Sequence, residues 1–157
     1  MNNNRNRIGL ISDTHGLLRE TALRALQKSD IIIHAGDIDT QQIIDRLKTI
    51  APVFPVRGNM DRNSQKGYLP EYDIVEVGEI SIYVIHDLFK MDLDPAAAGF
   101  DVVVSGHSHK PDIKYIEDVL YINPGSAGPR RFKLPISVGM LEIDGDKIMP
   151  KIIELDE

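Results

Sequence analysis

Four of the five histidines in this chain stand in short motifs shared with carboxylates, an asparagine or glycines. In order these motifs are Asp13-Thr14-His15-Gly16, Gly36-Asp37, Gly58-Asn59-Met60-Asp61, His86, and Gly106-His107-Ser108-His109. Most follow an apolar run, as expected where a strand delivers a side chain to the end of a sheet. Carboxylate and amide oxygens mixed with imidazole suit a pair of first-row divalent cations better than a structural zinc. Ligands spaced along a strand end or tight turn can aim at one point, with Gly16, Gly36, Gly58 and Gly106 permitting the tight backbone.

A chain of 157 residues is enough for one domain with a sizeable core, expected over 1–157, and short for two. Its net charge of −6 argues against non-specific nucleic-acid binding, although two bound cations would add about four positive charges to one cleft. The absence of cysteine excludes disulfides, thiolate metal sites and a cysteine nucleophile, and it allows a reducing compartment. The polar start, residues 1–7, precedes an apolar run too short for a signal-peptide core. No later stretch could span a bilayer, so a soluble cytoplasmic protein is expected.

The elements that must hold these residues are legible as patterns. Residues 8–11, 31–33, 53–56 and 102–104 are apolar runs of buried-strand type. Helical spacing over 18–28 and over the segment after Asp39 or Thr40, either of which can cap it, predicts two amphipathic helices. Strands alternating with helices, each strand apolar on both faces, indicate a parallel sheet covered on both sides. Residues 61–70 are polar and loop-like. Residues 74–77 and 80–85 flank Gly78-Glu79 as a hairpin, and a short helix fits 95–98. Further strands are expected at 115–116, 119–122, 137–143 and 147–155, with Asp144-Gly145 as a strong hairpin signal and Pro150 marking an edge or bulge. The most economical architecture is two facing sheets with helices outside and the ligand motifs at one end.

The order Asp-x-His, Gly-Asp, Gly-Asn, His, Gly-His-x-His resembles the calcineurin-like metallophosphoesterase superfamily, and within it the short single-domain phosphodiesterases of the YfcE type. The likeness runs from Ile8 to about Ser126 and includes Asn123-Pro124-Gly125-Ser126. It implies an α/β four-layer sandwich, two mixed β-sheets flanked by helices. It also implies that Asp13, His15 and His109 bind one metal, Asn59, His86 and His107 the other, and that Asp37 bridges them. Asp37, Asn59 and His107 would then be the catalytic residues, with Asn59 and Arg130 as substrate contacts. Two cations, manganese first, with nickel, iron, zinc or cobalt as alternatives, would activate a bridging hydroxide for attack on phosphorus and clamp the phosphoryl oxygens. The expected activity is hydrolysis of small phosphodiesters. The alternatives are phosphomonoester hydrolysis and a non-catalytic scaffold resembling the retromer's small phosphoesterase-like subunit.

Two positions depart from the family. Met60 replaces the histidine that often follows Gly-Asn and can act as general acid, a role typically worth ~10²–10⁴-fold. Asp61 could supply that proton or orient Asn59, but a solvated loop aspartate is an equal expectation. Asp87 follows His86 where glycine is usual, and could narrow the cleft or repel an anion. His34 reads as a buried hydrogen-bonding residue rather than a ligand, and Asn123 could fix a ligating histidine. Arg57, Lys110 and Arg131 read as solvated charges, and Tyr68 and Tyr72 as residues that pack on a sheet. Substrate choice rests with the loops at 62–69 and 90–99. The exposed strand edges and apolar C-terminal segment suit a homodimer, and no membrane or nucleic-acid partner is expected.

Overall fold

Each apolar run becomes a strand whose two faces enter different cores, which is why it shows no polar alternation. The computed structural model describes residues 5–59, 61 and 69–156. Met60 and residues 62–68, with Tyr68 and most of the segment expected to set substrate choice at 62–69, lie outside the described residues.

Among the described residues, ten strands form two five-stranded sheets. In the first, β1 (Arg5–Ile11), β2 (Ile31–His34) and β3 (Val53–Pro55) run parallel. The antiparallel pair β9 (Ser137–Asp144) and β10 (Lys147–Glu154) completes the order β10-β9-β1-β2-β3. Pro150 lies on β10, the edge strand. The second sheet has the order β4-β5-β6-β8-β7, built from β4 (Tyr72–Val77), β5 (Ile80–Ile85), β6 (Val102–Val104), β7 (Asp112–Ile116) and β8 (Val119–Asn123). Here β5, β6 and β8 are parallel, while β4 and β7 are antiparallel edges.

Alternate residues sort the layers. Ile8, Leu10 and Ile33 face Ile82, Val84, Val102, Val104 and Ile122 in the core between the sheets. Ile11 and Ile32 point outward against Ala22 and Leu26 and against Ile43, Ile44 and Leu47. Those residues belong to or flank α1 (Glu20–Ala25) and α2 (Gln41–Lys48). On the far face, Tyr83, Ile85 and Val103 pack under a 3₁₀ turn (Leu88–Lys90) and α3 (Pro95–Ala98). The result is an α/β sandwich of two mixed sheets between helices. No helix among the described residues is long and apolar enough to cross a membrane.

Three local features differ from the sequence pattern. The helix expected over 18–28 shortens to Glu20–Ala25, because its N-cap is Arg19, without a side-chain cap. Its C-terminal residues pass into i→i+3 turns that return the chain to β2. Thr40 is the N-cap of α2, but its side chain makes no capping bond. The last hairpin turns on Gly145-Asp146, one residue later than Asp144-Gly145, since Asp144 pairs with Lys147. With φ of 63° at Gly145, the turn has the glycine-first pattern of type II′.

The β7–β8 hairpin turns on Glu117 and Asp118, at φ 51° and 65°, between the paired Ile116 and Val119. Left-handed backbone at two non-glycine residues is costly. The double variant Glu117→Asn, Asp118→Gly, which suits a type I′ turn, should therefore stabilise the protein by about 1 kcal/mol. A thermal melt checks this as a rise of a few degrees.

Candidate metal centre

Six parallel strands end at the junction of the two sheets, and the loop after each carries a polar side chain into it. Asp13 and His15 follow β1, Asp37 follows β2, Asn59 follows β3, His86 follows β5, His107 and His109 follow β6, and Asn123 closes β8. Ligand sites in open α/β sheets form at such carboxyl ends. Backbone bonds hold the first two loops together beyond the strands: Asp13 N–H donates to Gly36 O, His15 N–H to Asp37 O and Gly16 N–H to Ile38 O, at 2.9–3.0 Å. On the second sheet, Gly106 N–H donates to His86 O at 3.0 Å.

The turns that aim these side chains are unusual. Asp13, His15, Asp37, His107 and His109 all have positive φ, between 46° and 74°. Glycine is required where two loops touch. A Cβ on Gly58 would collide with the Asp37 carboxylate and backbone, and one on Gly36, at φ 106°, would lie 2.6 Å from the His86 ring.

Two groups of donors share Asp13: Asp13, His15 and His109, and Asp13, Asp37 and His86. Asp13 Oδ1 lies 3.4 Å from His109 Nε2 and 3.8 Å from both His15 Nε2 and His86 Nε2. Asp37 Oδ2 lies 3.3 Å from His86 Nε2 and 3.7 Å from His15 Nε2. Atoms about 2.1 Å from a common ion are about 3.0–3.4 Å apart at octahedral or tetrahedral angles. These separations run from long hydrogen-bond distance to beyond it, and they are near what one ion would span. Asp13 Oδ1, His15 Nε2 and His86 Nε2 are also buried without hydrogen-bond partners, as is His109 Nδ1. Orphaned donors and acceptors of this kind are costly unless something sits between them. The residues fit a divalent cation.

His107 lies outside both groups. The His107 ring stands edge-on to His86 with centroids 5.2 Å apart, and its Nε2 is 3.9 Å from Asp87 Oδ2. Asn59 is exposed and lines a cleft together with His86. Arg130 is exposed and lines neither of the two clefts beside the cluster. Arg57 and Lys110, read from sequence as solvated charges, do line them, as do Lys90 and Lys114, which no motif marks.

A second layer fixes the first. Asp13 Oδ2 accepts from Ser12 Oγ at 2.6 Å and from His107 N–H at 3.1 Å, leaving Oδ1 to face the imidazoles. His86 Nδ1–H donates to Ala35 O at 2.6 Å, which sets the tautomer and turns Nε2 inward. Asn123 Nδ2 donates to Gly106 O and Ser108 Oγ, bracketing His107. His34 accepts from Gly36 N–H at Nδ1 and meets Thr14 Oγ1 at Nε2, whose hydroxyl donates to Ile38 O. It therefore ties the β1 and β2 loops together and is no ligand. The expectation of a solvated Asp61 is overturned. This side chain is buried, and its two oxygens accept four backbone N–H groups, from Asp37, Ile38, Asp39 and Gly58, at 2.8–2.9 Å. Sequence gave no signal for this, because acceptance by main chain leaves no trace in residue types.

Charge follows the same geometry. Burial alone would raise the Asp13 carboxyl, but the His109 imidazole, the charge on His86 and the Ser12 hydroxyl outweigh it and hold Asp13 below the usual range. Burial would likewise lower His86, yet Asp37 and Asp13 beside it raise it. In metal-free protein that proton stabilises the fold below pH 6.5, and the contribution is lost as pH rises through the folded value. A cation must displace it.

Known proteins resemble this chain in sequence and fold. The family model of the calcineurin-like phosphoesterase superfamily domain matches residues 7–146. A probable metallophosphoesterase of Methanocaldococcus jannaschii is 37% identical, over 96% of this chain and 82% of that protein. A solved archaeal phosphodiesterase superposes with a TM-score of 0.81 at 26% identity, over 95% of this chain and 99% of its own. Vacuolar protein sorting 29 from Cryptosporidium parvum gives 0.83 at 23% identity, over 98% and 93%, a likeness of fold alone.

Asp61→Ala strands four buried N–H groups at about 1 kcal/mol or more each, so urea unfolding should show a loss of at least about 3 kcal/mol. Asp61→Asn, which sets an amide NH₂ against two of the donors, should fall between. Burial pushes His34 from 6.5 down to about 4. The unfolded chain thus takes up this proton below about pH 6.5 and the folded chain only near pH 4. Stability is complete above that window and falls by about 3 kcal/mol as pH drops through it. His34→Asn, which keeps an acceptor for Gly36, should flatten this part of the stability–pH curve relative to wild type.

Proposed function

Since the chain belongs to the calcineurin-like phosphoesterase superfamily, we propose that it is a divalent-metal-dependent phosphodiesterase acting on small phosphodiesters. The observation that carries this reading is the convergence of Asp13 Oδ1, His15 Nε2 and His86 Nε2, all buried and unpartnered, with His109 Nε2 and the Asp37 carboxylate beside them. The likeness to a solved archaeal phosphodiesterase supports the diester preference. Asp13, His15 and His109 would hold one cation and Asn59, His86 and His107 a second, with Asp37 between them and manganese the first choice. The absence of cysteine fits work in the cytoplasm.

When bound, the cations supply Lewis acidity toward the phosphoryl oxygens and toward the attacking water. The chain supplies the rest. Asp13 and Asp37 provide the negative charge that retains dications, and the neutral amide of Asn59 keeps the site more electrophilic than a third carboxylate would. Ser12, the His107 amide and Ala35 fix the donor orientations, and Asn123 holds the His107 loop. Asp61, committed to four backbone donors, orients the Asp37 turn and is not the proton donor missing at Met60. The leaving group therefore departs unassisted by a side chain at that position, which favours good leaving groups such as aryl alcohols.

Manganese-loaded protein should cleave an activated aryl phosphodiester, lose this on chelation and regain it with manganese. Asp37→Ala should lower turnover at least about 100-fold. Metal-replete wild type that works no faster than Asp37→Ala would refute the enzyme reading. Metal retained without turnover of any phosphoester would point to a scaffold.

A further inference from the structure

Two clefts, one lined by His107 and the other by His86 of the donor cluster, share one lining residue, Asp87. The larger, about 250 Å³, lies on the outer face of the second sheet between the 3₁₀ turn and β7, with His107 at its inner end. Its apolar walls include Phe89 and Tyr121, and Phe89 is 96% exposed. The smaller, about 190 Å³, is lined by Asn59 and His86 with Arg57 and Lys90. The His86 and His107 rings touch, so the clefts meet at that pair and Asp87 forms the septum.

The septum is fixed and charged. Asp87 Oδ1 accepts Phe89 N–H at 3.1 Å as the cap of the 3₁₀ turn, while Oδ2 stands 3.9 Å from His107 Nε2. Its side chain is 15% exposed, and His107 is its only ion-pair contact among the described residues. A phosphodiester has one negative charge and two organic arms diverging from phosphorus. A phosphomonoester has one arm and a second charge, its second pKa lying near 6. Two clefts parted by a carboxylate suit the first and oppose the second.

Resting on the phosphoesterase reading above, we infer that Asp87 is the specificity-determining residue that selects phosphodiesters over phosphomonoesters, by parting the ester arms into separate clefts and repelling a second phosphate charge. The larger cleft receives a planar arm against Phe89. An added charge some 6 Å from the carboxylate, at an effective dielectric near 20, corresponds to discrimination on the order of 10- to 100-fold.

Asp87→Asn keeps an oxygen for Phe89 N–H and removes only the charge. With manganese-loaded wild type and variant, kcat/KM is measured for an aryl diester and the matching monoester. Calorimetry at about pH 8, where inorganic phosphate is doubly charged, measures binding of phosphate and of dimethyl phosphate. Metal per chain is measured in parallel. The variant should shift the monoester-to-diester ratio upward by about 10-fold or more and tighten phosphate by a similar factor, with dimethyl phosphate and metal content unchanged. An unchanged ratio with unchanged phosphate affinity overturns the inference. So does loss of metal from the variant, which would make Asp87 a ligand, and so does absence of phosphate binding to both proteins. If wild type cleaves neither ester, the phosphoesterase reading fails by itself, and the two isotherms still decide the role of Asp87.

Discussion

Burying Asp13 and Asp37 together is the constraint on which the rest of this structure depends. Two carboxylates taken from water into the seam between two sheets cost several kcal/mol each unless charge and hydrogen bonds offset the loss. The protein offsets part of it with its own groups: the Ser12 hydroxyl and His107 amide on Asp13, and the raised His86 beside both. The remainder is left to a cation. Binding and folding are therefore linked here, because the metal neutralises a charge excess that the fold itself creates.

Positive φ at Asp13, His15, Asp37, His107 and His109 expresses the same constraint in the backbone. Such conformations cost of order 1 kcal/mol or more each and persist only where the surroundings over-determine them. Here the over-determination can be named. Asp61 grips the turn after β2 by four amides, His34 joins that turn to the β1 loop, and Asn123 brackets the β6 loop. The rigid parallel strands beneath fix where each turn begins.

Much of this was legible in residue types. Continuous apolar runs mark strands buried on both faces, and the polar residue after each run marks a strand end, so most strands and the five side chains that the structure brings together could be picked out without coordinates. The short helix read over 95–98 is α3, which Asp94 caps by accepting from Ala96 and Ala97 N–H and which Gly99 ends in a left-handed turn. Sheet order was not legible, since β9 and β1 pair across most of the chain through contacts that periodicity cannot encode. The length of α1 failed for a related reason: apolar spacing continues through Leu26, but the chain must already turn toward β2. Asp61 was misjudged because a carboxylate bonded to main chain looks, in sequence, like one bonded to water.

The donors stand 3.3–3.8 Å apart, near the spacing that one ion spans. Preorganisation of this kind comes from the second layer rather than from the ligands, whose imidazoles and carboxylates would satisfy several first-row ions equally. It follows that choice of metal is weakly written in this site, while choice of substrate is written in what surrounds it. The surroundings are asymmetric. A cleft with Phe89 and Tyr121 in its walls, and Lys110 and Lys114 also lining it, lies on one side of Asp87, and a smaller one with Arg57, Lys90 and Glu71 on the other. Under the phosphodiesterase reading proposed above, a symmetric substrate would use only one of these environments well, which favours a diester whose two arms differ.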